Sequence, residues 1–148
     1  MKNIYIILSK EIKTYFASPM AYIVAAAYLA ITGFFFVASV SDAFSEATIR
    51  GYLAGATFFM IFMSPAITMR LIAEEQKLGT LELLLTSPVK EAEVVIGKFL
   101  ASLITVCIMI FFSLYFVILL YLFGDPDSGP LFNGIFGLIL YSSATLAI

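Results

Sequence analysis

The fold of this chain is decided by the stretch "MRLIAEEQKLGTLELLLTSPVKEAEVVIGK", residues 69–98. It holds nine of the 18 Asp, Glu, Lys and Arg residues, although it makes up only 30 of the 148 positions. The sequence on both sides of it is almost entirely apolar, and the whole chain is 62% apolar and 12% charged. A soluble domain carries about twice that share of charge. Because the apolar residues form blocks of about 18 or more, they predict membrane-spanning helices.

Four such blocks predict an all-α polytopic membrane protein with a single membrane domain over residues 1–148. The predicted spans are 19–40, 52–69, 94–123 and 131–148. We expect polar loops at 41–51 and 124–130, and Pro65 predicts a kink near the end of the second span. Because the fourth block is still apolar at Ile148, we interpret the chain as the N-terminal part of a longer protein.

Residues 2–16 predict an amphipathic helix that lies in the membrane surface and does not span it. Its apolar face contains Ile4, Tyr5, Leu8, Ile12, Tyr15 and Phe16. Its polar face contains Lys2, Ser9, Lys10 and Lys13. Ser9, Lys10, Glu11 and Lys13 interrupt the apolar run too early for a cleaved signal peptide. Ser18 and Pro19 then predict the N-cap and the first position of the next helix.

The distribution of Lys and Arg predicts the orientation in the membrane. Basic residues are concentrated in the N-terminal helix and in the segment 70–98, whereas 41–51 contains only Arg50 and 124–130 contains none. Since basic loops stay on the cytoplasmic side, we expect the N-terminus and the segment 70–93 to be cytoplasmic. The two short loops are expected outside.

Apart from Lys98 near the start of the third span, the spans contain no Asp, Glu, Lys, Arg or His side chain, which argues against an ion-driven carrier. We expect their hydroxyl and amide groups to bond to helix backbones or neighbouring helices; these residues include Thr57, Ser64, Ser102, Thr105, Ser113, Asn133, Ser142 and Ser143. The sequence shows no catalytic constellation, metal-ligand cluster or phosphate-binding loop. The net charge of −2 does not indicate nucleic acid as a partner, and the lone Cys107 is interpreted as a packed thiol.

The charged segment 70–93 predicts a helix, a break at Gly79-Thr80 and a short leucine-rich helix that ends before Pro88. Leu78, Leu81 and Leu85 fall on one helical face, and Glu82 lies in the first turn of the short helix, where the helix dipole favours an anion. Such a helix suits docking against a soluble protein. A helix that rests on lipid is the alternative that the pattern leaves open.

The stretch "EEQKLGTLELLLTSPV", residues 74–89, resembles the signature of ABC-2-type transporter permeases. The matching positions are Glu75, Gly79, Thr80, Glu82, Leu84, Leu85, Ser87 and Pro88. The opening "KEIKTYFASPMAYIV", residues 10–24, is also similar to these permeases, most of all to the gliding-motility-associated branch.

The resemblance implies a six-span permease subunit with an N-terminal interface helix and a cytoplasmic coupling helix between spans two and three. The coupling residues that it implies are Glu74, Glu75, Leu78, Gly79, Thr80, Leu81, Glu82 and Leu85. It implies two partners in the lipid bilayer or at its surface: a separate ABC ATP-binding subunit, which uses ATP, and a second permease copy or paralogue. The permease itself would be a non-catalytic exporter subunit of the bacterial cytoplasmic membrane that binds no cofactor directly.

Two further interpretations come from other functional classes. A non-transporting membrane anchor for a cytoplasmic complex would have the same spans and charged segment. A membrane-embedded enzyme would need its catalytic residues in a C-terminal half. The uncharged lining of the spans favours a lipid-like, hydrophobic or large cargo, and Gly134 with Gly137 predicts a small face for close helix packing.

Overall fold

The computed structural model describes residues 2–41, 49–78, 91–124, 126 and 128–147, with the backbone alone at 2, 3, 70–78 and 91. These residues form five helices and no strand. The helices are α1 (Lys2–Ala17), α2 (Pro19–Val40), α3 (Arg50–Leu78), α4 (Glu91–Phe123) and α5 (Ser128–Leu146). The predicted all-α fold is confirmed.

Four helices in the described part of the chain are long and apolar enough to cross a membrane. Their apolar windows are Pro19–Val40, Arg50–Met69, Ala92–Phe123 and Ser128–Leu146. This result confirms the predicted polytopic class. Helix α1, with 16 residues, is not among these candidate spans.

Two helices begin earlier than the sequence predicts. Helix α3 begins at Arg50, inside the expected loop 41–51, and α5 begins at Ser128, inside the expected loop 124–130. Pro130 is the third residue of α5, where a missing backbone N–H removes no intrahelical hydrogen bond. The helix can therefore start on the N-terminal side of this proline, and the predicted second loop was too long.

Ser18 and Pro19 separate α1 from α2 as predicted. Ser18 has the extended conformation of an N-cap, with φ −86° and ψ 133°, and its side chain accepts a hydrogen bond from the Met20 N–H at 3.3 Å. Pro19 occupies the first turn of α2, where it needs no donor. These two residues fix the point at which the chain leaves α1 and enters the first candidate span.

Helices α3 and α4 are longer than a bilayer requires. They contain 29 and 33 residues, which correspond to roughly 44 and 50 Å at about 1.5 Å per residue. The hydrocarbon layer is only about 30 Å thick. Both helices must therefore tilt or extend beyond the membrane. The charged end of α3 after Met69 lies outside its apolar window, whereas Glu93 and Lys98 near the start of α4 lie inside theirs.

The contact between α2 and α3 is made close by glycine. A Cβ atom at Gly55 would lie 2.9 Å from Cβ of Phe35, and one at Gly51 would overlap the Ser39 hydroxyl and lie 2.7 Å from the Phe35 carbonyl oxygen. The two glycines are four residues apart and share one face of α3. They form a small-residue motif of the type that lets membrane helices pack closely.

The core lies between α2, α3, α4 and α5. Its fully buried members include Tyr28, Tyr52, Ala56, Met60 and Val106. The two glycines of the predicted small face of α5 have different surroundings. Gly134 packs against the Leu53 side chain, but a Cβ atom at Gly137 would have no neighbour within 4 Å.

Candidate functional site

The charged ends of α3 and α4 lie on either side of residues 79–90, the middle of the charged segment. Helix α3 leaves its apolar window after Met69 and remains helical to Leu78. Helix α4 begins at Glu91, and its first turns carry Glu93 and Lys98. One helix therefore leads from the membrane into the charged segment, and another leads back from it.

The eight predicted coupling residues fall into two groups. Glu74, Glu75 and Leu78 belong to the last turns of α3, where the backbone is helical. The remaining five lie outside the described residues: Gly79, Thr80, Leu81, Glu82 and Leu85. The break at Gly79-Thr80, the short helix after it and the role of all eight residues therefore stay predictions.

An ion pair that sequence reasoning missed joins α1 to α4. Lys98 Nζ lies 3.6 Å from Glu11 Oε1, and the two side chains retain only 14% and 9% of their exposure. Glu11 serves in the sequence analysis only as a charge that interrupts an apolar run. No local pattern relates it to Lys98, because two spans separate them along the chain.

Beside this pair, a glycine brings the two helices together. A Cβ atom at Gly97 would lie 2.9 Å from Cγ2 of Ile7 and 3.5 Å from the carbonyl oxygen of Ile4. The absence of a side chain at Gly97 therefore lets α1 lie directly on α4. The adjacent Lys98 then reaches Glu11, one turn further along α1.

The face of α1 that contacts α4 differs from the predicted apolar face. Among the described side chains of α1, only Glu11 and Tyr15 are buried. They share a stripe with Ile4 and Ile7, since these residues are separated by three or four positions. Tyr5, on the predicted apolar face, remains 71% exposed. The contact face is thus rotated toward Ile7 and Glu11, because Gly97 and Lys98 receive those two side chains.

A comparison with protein families decides the identity of the chain. A family model described as "ABC-2 family transporter protein" matches residues 5–148. The chain belongs to this family. It is therefore a multi-pass membrane protein and a permease subunit of an ABC transporter. The match concerns the family as a whole, and the similarity to the gliding-motility-associated branch stays a prediction. No curated protein and no solved structure matches the chain.

The ABC-2 permease has a cleft between α3, α4 and α5, near Lys98. Its volume is about 460 Å³, and its lining includes Thr68 of α3, Phe99 and Ser102 of α4, and Leu146 of α5. Ser102 is bonded to its own helix through the carbonyl oxygens of Lys98 and Phe99, at 3.0 and 2.9 Å. The cleft therefore presents mainly apolar surface at the end of the bundle where the charged segment begins.

Three buried hydroxyl groups hold α2, α3 and α4 of the permease together. Ser113 Oγ lies 2.6 Å from the Tyr52 hydroxyl and 3.3 Å from the Tyr28 hydroxyl. Ser113 also lies 2.7 Å from the carbonyl oxygen of Ile110, to which it donates its single hydrogen. Since that hydrogen is used, Ser113 accepts from the tyrosines. The three side chains have no exposed surface.

Other hydroxyl groups confirm the bonding that was predicted for the spans. Thr105 donates to the Ala101 carbonyl oxygen at 2.9 Å, and Ser142 donates to that of Leu138 at 2.7 Å. Ser64 bonds across to Thr145 at 2.9 Å, which links α3 to α5. Within the described ranges, no group of His, Cys, Asp or Glu side chains could hold a metal ion.

Proposed function

We propose that this ABC-2 permease moves its cargo by using ATP hydrolysis on a separate ATP-binding subunit, and that residues 74–85 receive the ATPase. The observation that carries the proposal is the continuity of α3 from Arg50 to Leu78. One helix joins the buried residues Ala56 and Met60 to the first predicted coupling residues. A displacement at Leu78 would therefore act on the core directly.

Helix α4 supplies the second connection. It begins at Glu91, only a short distance along the chain after the coupling segment, and continues to Phe123 without interruption. Its buried Val106 and Ser113 lie in the same core as the buried residues of α3. An ATPase that moved the segment between the two helices would thus move two sides of the core. Helix α1 would follow α4, because Glu11 and Ile7 attach it there.

The acidic and leucine residues of the coupling segment indicate what kind of surface the partner presents. Acidic residues at 74, 75 and 82 are interspersed with leucines at 78, 81 and 85. A cleft with an apolar floor and basic rim would complement this pattern. We infer that the ATPase presents such a cleft.

The cargo is inferred to be hydrophobic, lipid-like or large, and its direction is export. The buried polar groups of the described spans are hydroxyls, which bond to the helix backbone or to one another. This lining offers no charged ligand for a small ion. The family supports a location in a membrane, and we propose the bacterial cytoplasmic membrane with the N-terminus inside.

Substitution in the coupling segment tests the proposal. In the native subunit, Gly79→Val and Glu82→Lys should reduce co-purification of the ATPase and abolish transport-stimulated ATP hydrolysis. Loss of one member of a buried interfacial charge pair costs about 2–5 kcal/mol, which is enough to disrupt a complex. Membrane insertion should be unchanged, because both positions lie in the charged stretch of the sequence between the windows that end at Met69 and begin at Ala92.

Two matched variants control for the chemistry of these changes. Gly129→Val places the same side chain at a glycine with no neighbour within 4 Å, and Glu46→Lys reverses a glutamate in the loop predicted to face outside. Both should retain the ATPase. Equal recovery of the ATPase from Gly79→Val, Glu82→Lys and wild type would refute the coupling assignment. If the ATPase is recovered but no cargo stimulates its hydrolysis of ATP, the result would favour the non-transporting anchor.

A further inference from the structure

The surface of α1 that faces away from α4 is unusual in its charge. Glu11 is the only acidic residue in α1, and it is turned inward to Lys98. Lys10 and Lys13 are exposed, about 100° and 160° away from Glu11 around the helix axis. Among the described side chains, the free surface of α1 therefore carries positive charge alone.

Apolar side chains accompany these lysines. Tyr5 and Ile6 are 71% and 57% exposed, and with Ser9, Lys10, Lys13 and Thr14 they line a shallow groove along the helix. A helix surface that faced only water would gain nothing from exposing a tyrosine and an isoleucine beside two lysines. The combination is typical of helices that lie at a lipid surface, with ammonium groups at the phosphates and apolar groups below them.

The contact with α4 places this groove near the boundary between the hydrocarbon layer and the head groups. Gly97, on which Ile7 lies, is the sixth residue of the apolar window Ala92–Phe123. At about 1.5 Å per residue, it lies within roughly 10 Å of the end of that window. Since that window of 32 residues is roughly 48 Å long and the hydrocarbon layer is about 30 Å thick, the membrane boundary crosses α4 within about the first 18 Å of the window, the part on which α1 lies.

We propose that the groove formed by Tyr5, Ser9, Lys10 and Lys13 binds the head groups of anionic phospholipids. The two ammonium groups pair with lipid phosphates, the Ser9 hydroxyl donates a further hydrogen bond, and Tyr5 lies against the upper acyl chains. The occupant is a lipid rather than an acidic protein, because the groove lies at the membrane boundary. The proposal is independent of the ATPase and of the coupling segment.

A single fluorescent reporter can measure this preference. The chain contains no tryptophan, so Tyr5→Trp provides a reporter at the edge of the groove, at a position exposed enough to accept it. The native subunit carrying this change is reconstituted into vesicles of phosphatidylcholine and phosphatidylglycerol, with bromine on the acyl chains of one lipid or the other. Brominated lipid quenches the tryptophan only when it is adjacent, so the two mixtures give the relative affinity of the site.

Stronger quenching by brominated phosphatidylglycerol is expected, with a preference of up to about fivefold per lysine at low ionic strength. Lys10→Gln with Lys13→Gln should remove the preference, whereas Lys10→Arg with Lys13→Arg should retain it. About 1 M salt should reduce it, because the Debye length then falls to about 3 Å.

Two outcomes would overturn the proposal. Equal quenching by the two brominated lipids would show that the lysines do not select anionic head groups, and it would favour an acidic protein as their partner. Absence of quenching by either lipid would show that this face of α1 does not contact the membrane. Neither result depends on whether the ATPase binds the coupling segment.

Discussion

The carboxylate of Glu11 lies 3.6 Å from the ammonium group of Lys98, although two membrane-spanning helices separate α1 from α4 along the chain. The pair is well shielded, since the side chains retain 9% and 14% of their exposure. Screening by salt and water is therefore weaker than for a surface pair. Together with Gly97, the pair determines which face of α1 meets the rest of the bundle.

The first prediction concerns the contribution of this pair to stability. Glu11→Gln should lower the free energy of unfolding by about 1–3 kcal/mol, because it removes the charge of one partner and leaves the shielded Lys98 ammonium in place. The loss should be smaller than the roughly 3–5 kcal/mol typical of a fully buried pair. Denaturation of the purified protein in detergent micelles measures the difference.

A charge exchange distinguishes pairing from other effects of the substitution. The double variant Glu11→Lys with Lys98→Glu should recover at least half of the stability lost in Glu11→Lys alone. Lys13→Gln, which removes a charge from the exposed side of α1, should change stability by less than about 0.5 kcal/mol. A double variant no more stable than Glu11→Lys would show that the two side chains do not stabilise each other.

The second prediction concerns the buried hydroxyl groups. Ser113→Ala removes an acceptor from Tyr28 and from Tyr52, whose hydroxyl groups then keep only their mutual contact at 3.5 Å. The cost should be about 1–3 kcal/mol, because two buried hydroxyl groups lose a partner. Thr105→Val is the matched control, since Thr105 bonds only within α4 in the described contacts. It should cost less than the roughly 0.6 kcal/mol average for interhelical bonds in membranes. If both variants lowered the free energy of unfolding equally, as measured by denaturation in detergent micelles, the interhelical role of Ser113 would be contradicted.

Local patterns were sufficient to predict most of the secondary structure. The apolar blocks gave four candidate spans, and the Ser18-Pro19 pair gave the boundary between α1 and α2. The hydroxyl bonds of Thr105 and Ser142 were also predictable, because each reaches a carbonyl oxygen one turn away. These features depend only on residues that are neighbours in the chain.

Contacts between distant helices were not predictable in the same way. The apolar residues of α1 cover a wide arc, so their pattern did not decide which part of the arc would meet α4. That choice depends on Gly97 and Lys98, which lie beyond two spans. Gly51 and Gly55 do carry a local signal, since the four-residue spacing of small residues is typical of closely packed membrane helices. Of the predicted coupling residues, Gly79 to Leu85 lie outside the described ranges.

The third prediction concerns orientation. Single cysteines at Ser45 and Ser128, in a Cys107→Ser background, should react with an impermeant maleimide added to intact cells. A cysteine at Lys77 should react only after the membrane is opened. The physical reason is that Lys and Arg are concentrated around α1 and the segment 70–98, and basic flanks remain in the cytoplasm. Labelling of the cysteine at position 77 in intact cells would reverse the proposed topology.

The last prediction concerns the close contact between α2 and α3. Gly51→Ala should separate these helices, because the added Cβ atom would overlap the Ser39 hydroxyl and lie 2.7 Å from the Phe35 carbonyl oxygen. A backbone oxygen cannot rotate away, so the helix itself must move. We expect a loss of about 1–3 kcal/mol, as for other substitutions that overpack a core.

Gly137→Ala supplies the matched control for this contact. It makes the same chemical change in a helix of the same bundle, but its Cβ atom would meet nothing within 4 Å. Since alanine favours a helix over glycine by up to about 1 kcal/mol, this variant should be neutral or slightly more stable. Gly55→Ala should resemble Gly51→Ala, because its Cβ atom would lie 2.9 Å from Cβ of Phe35, the rigid base of that side chain. If Gly51→Ala and Gly137→Ala unfolded at the same denaturant concentration, α2 and α3 would not be packed through the glycine face of α3.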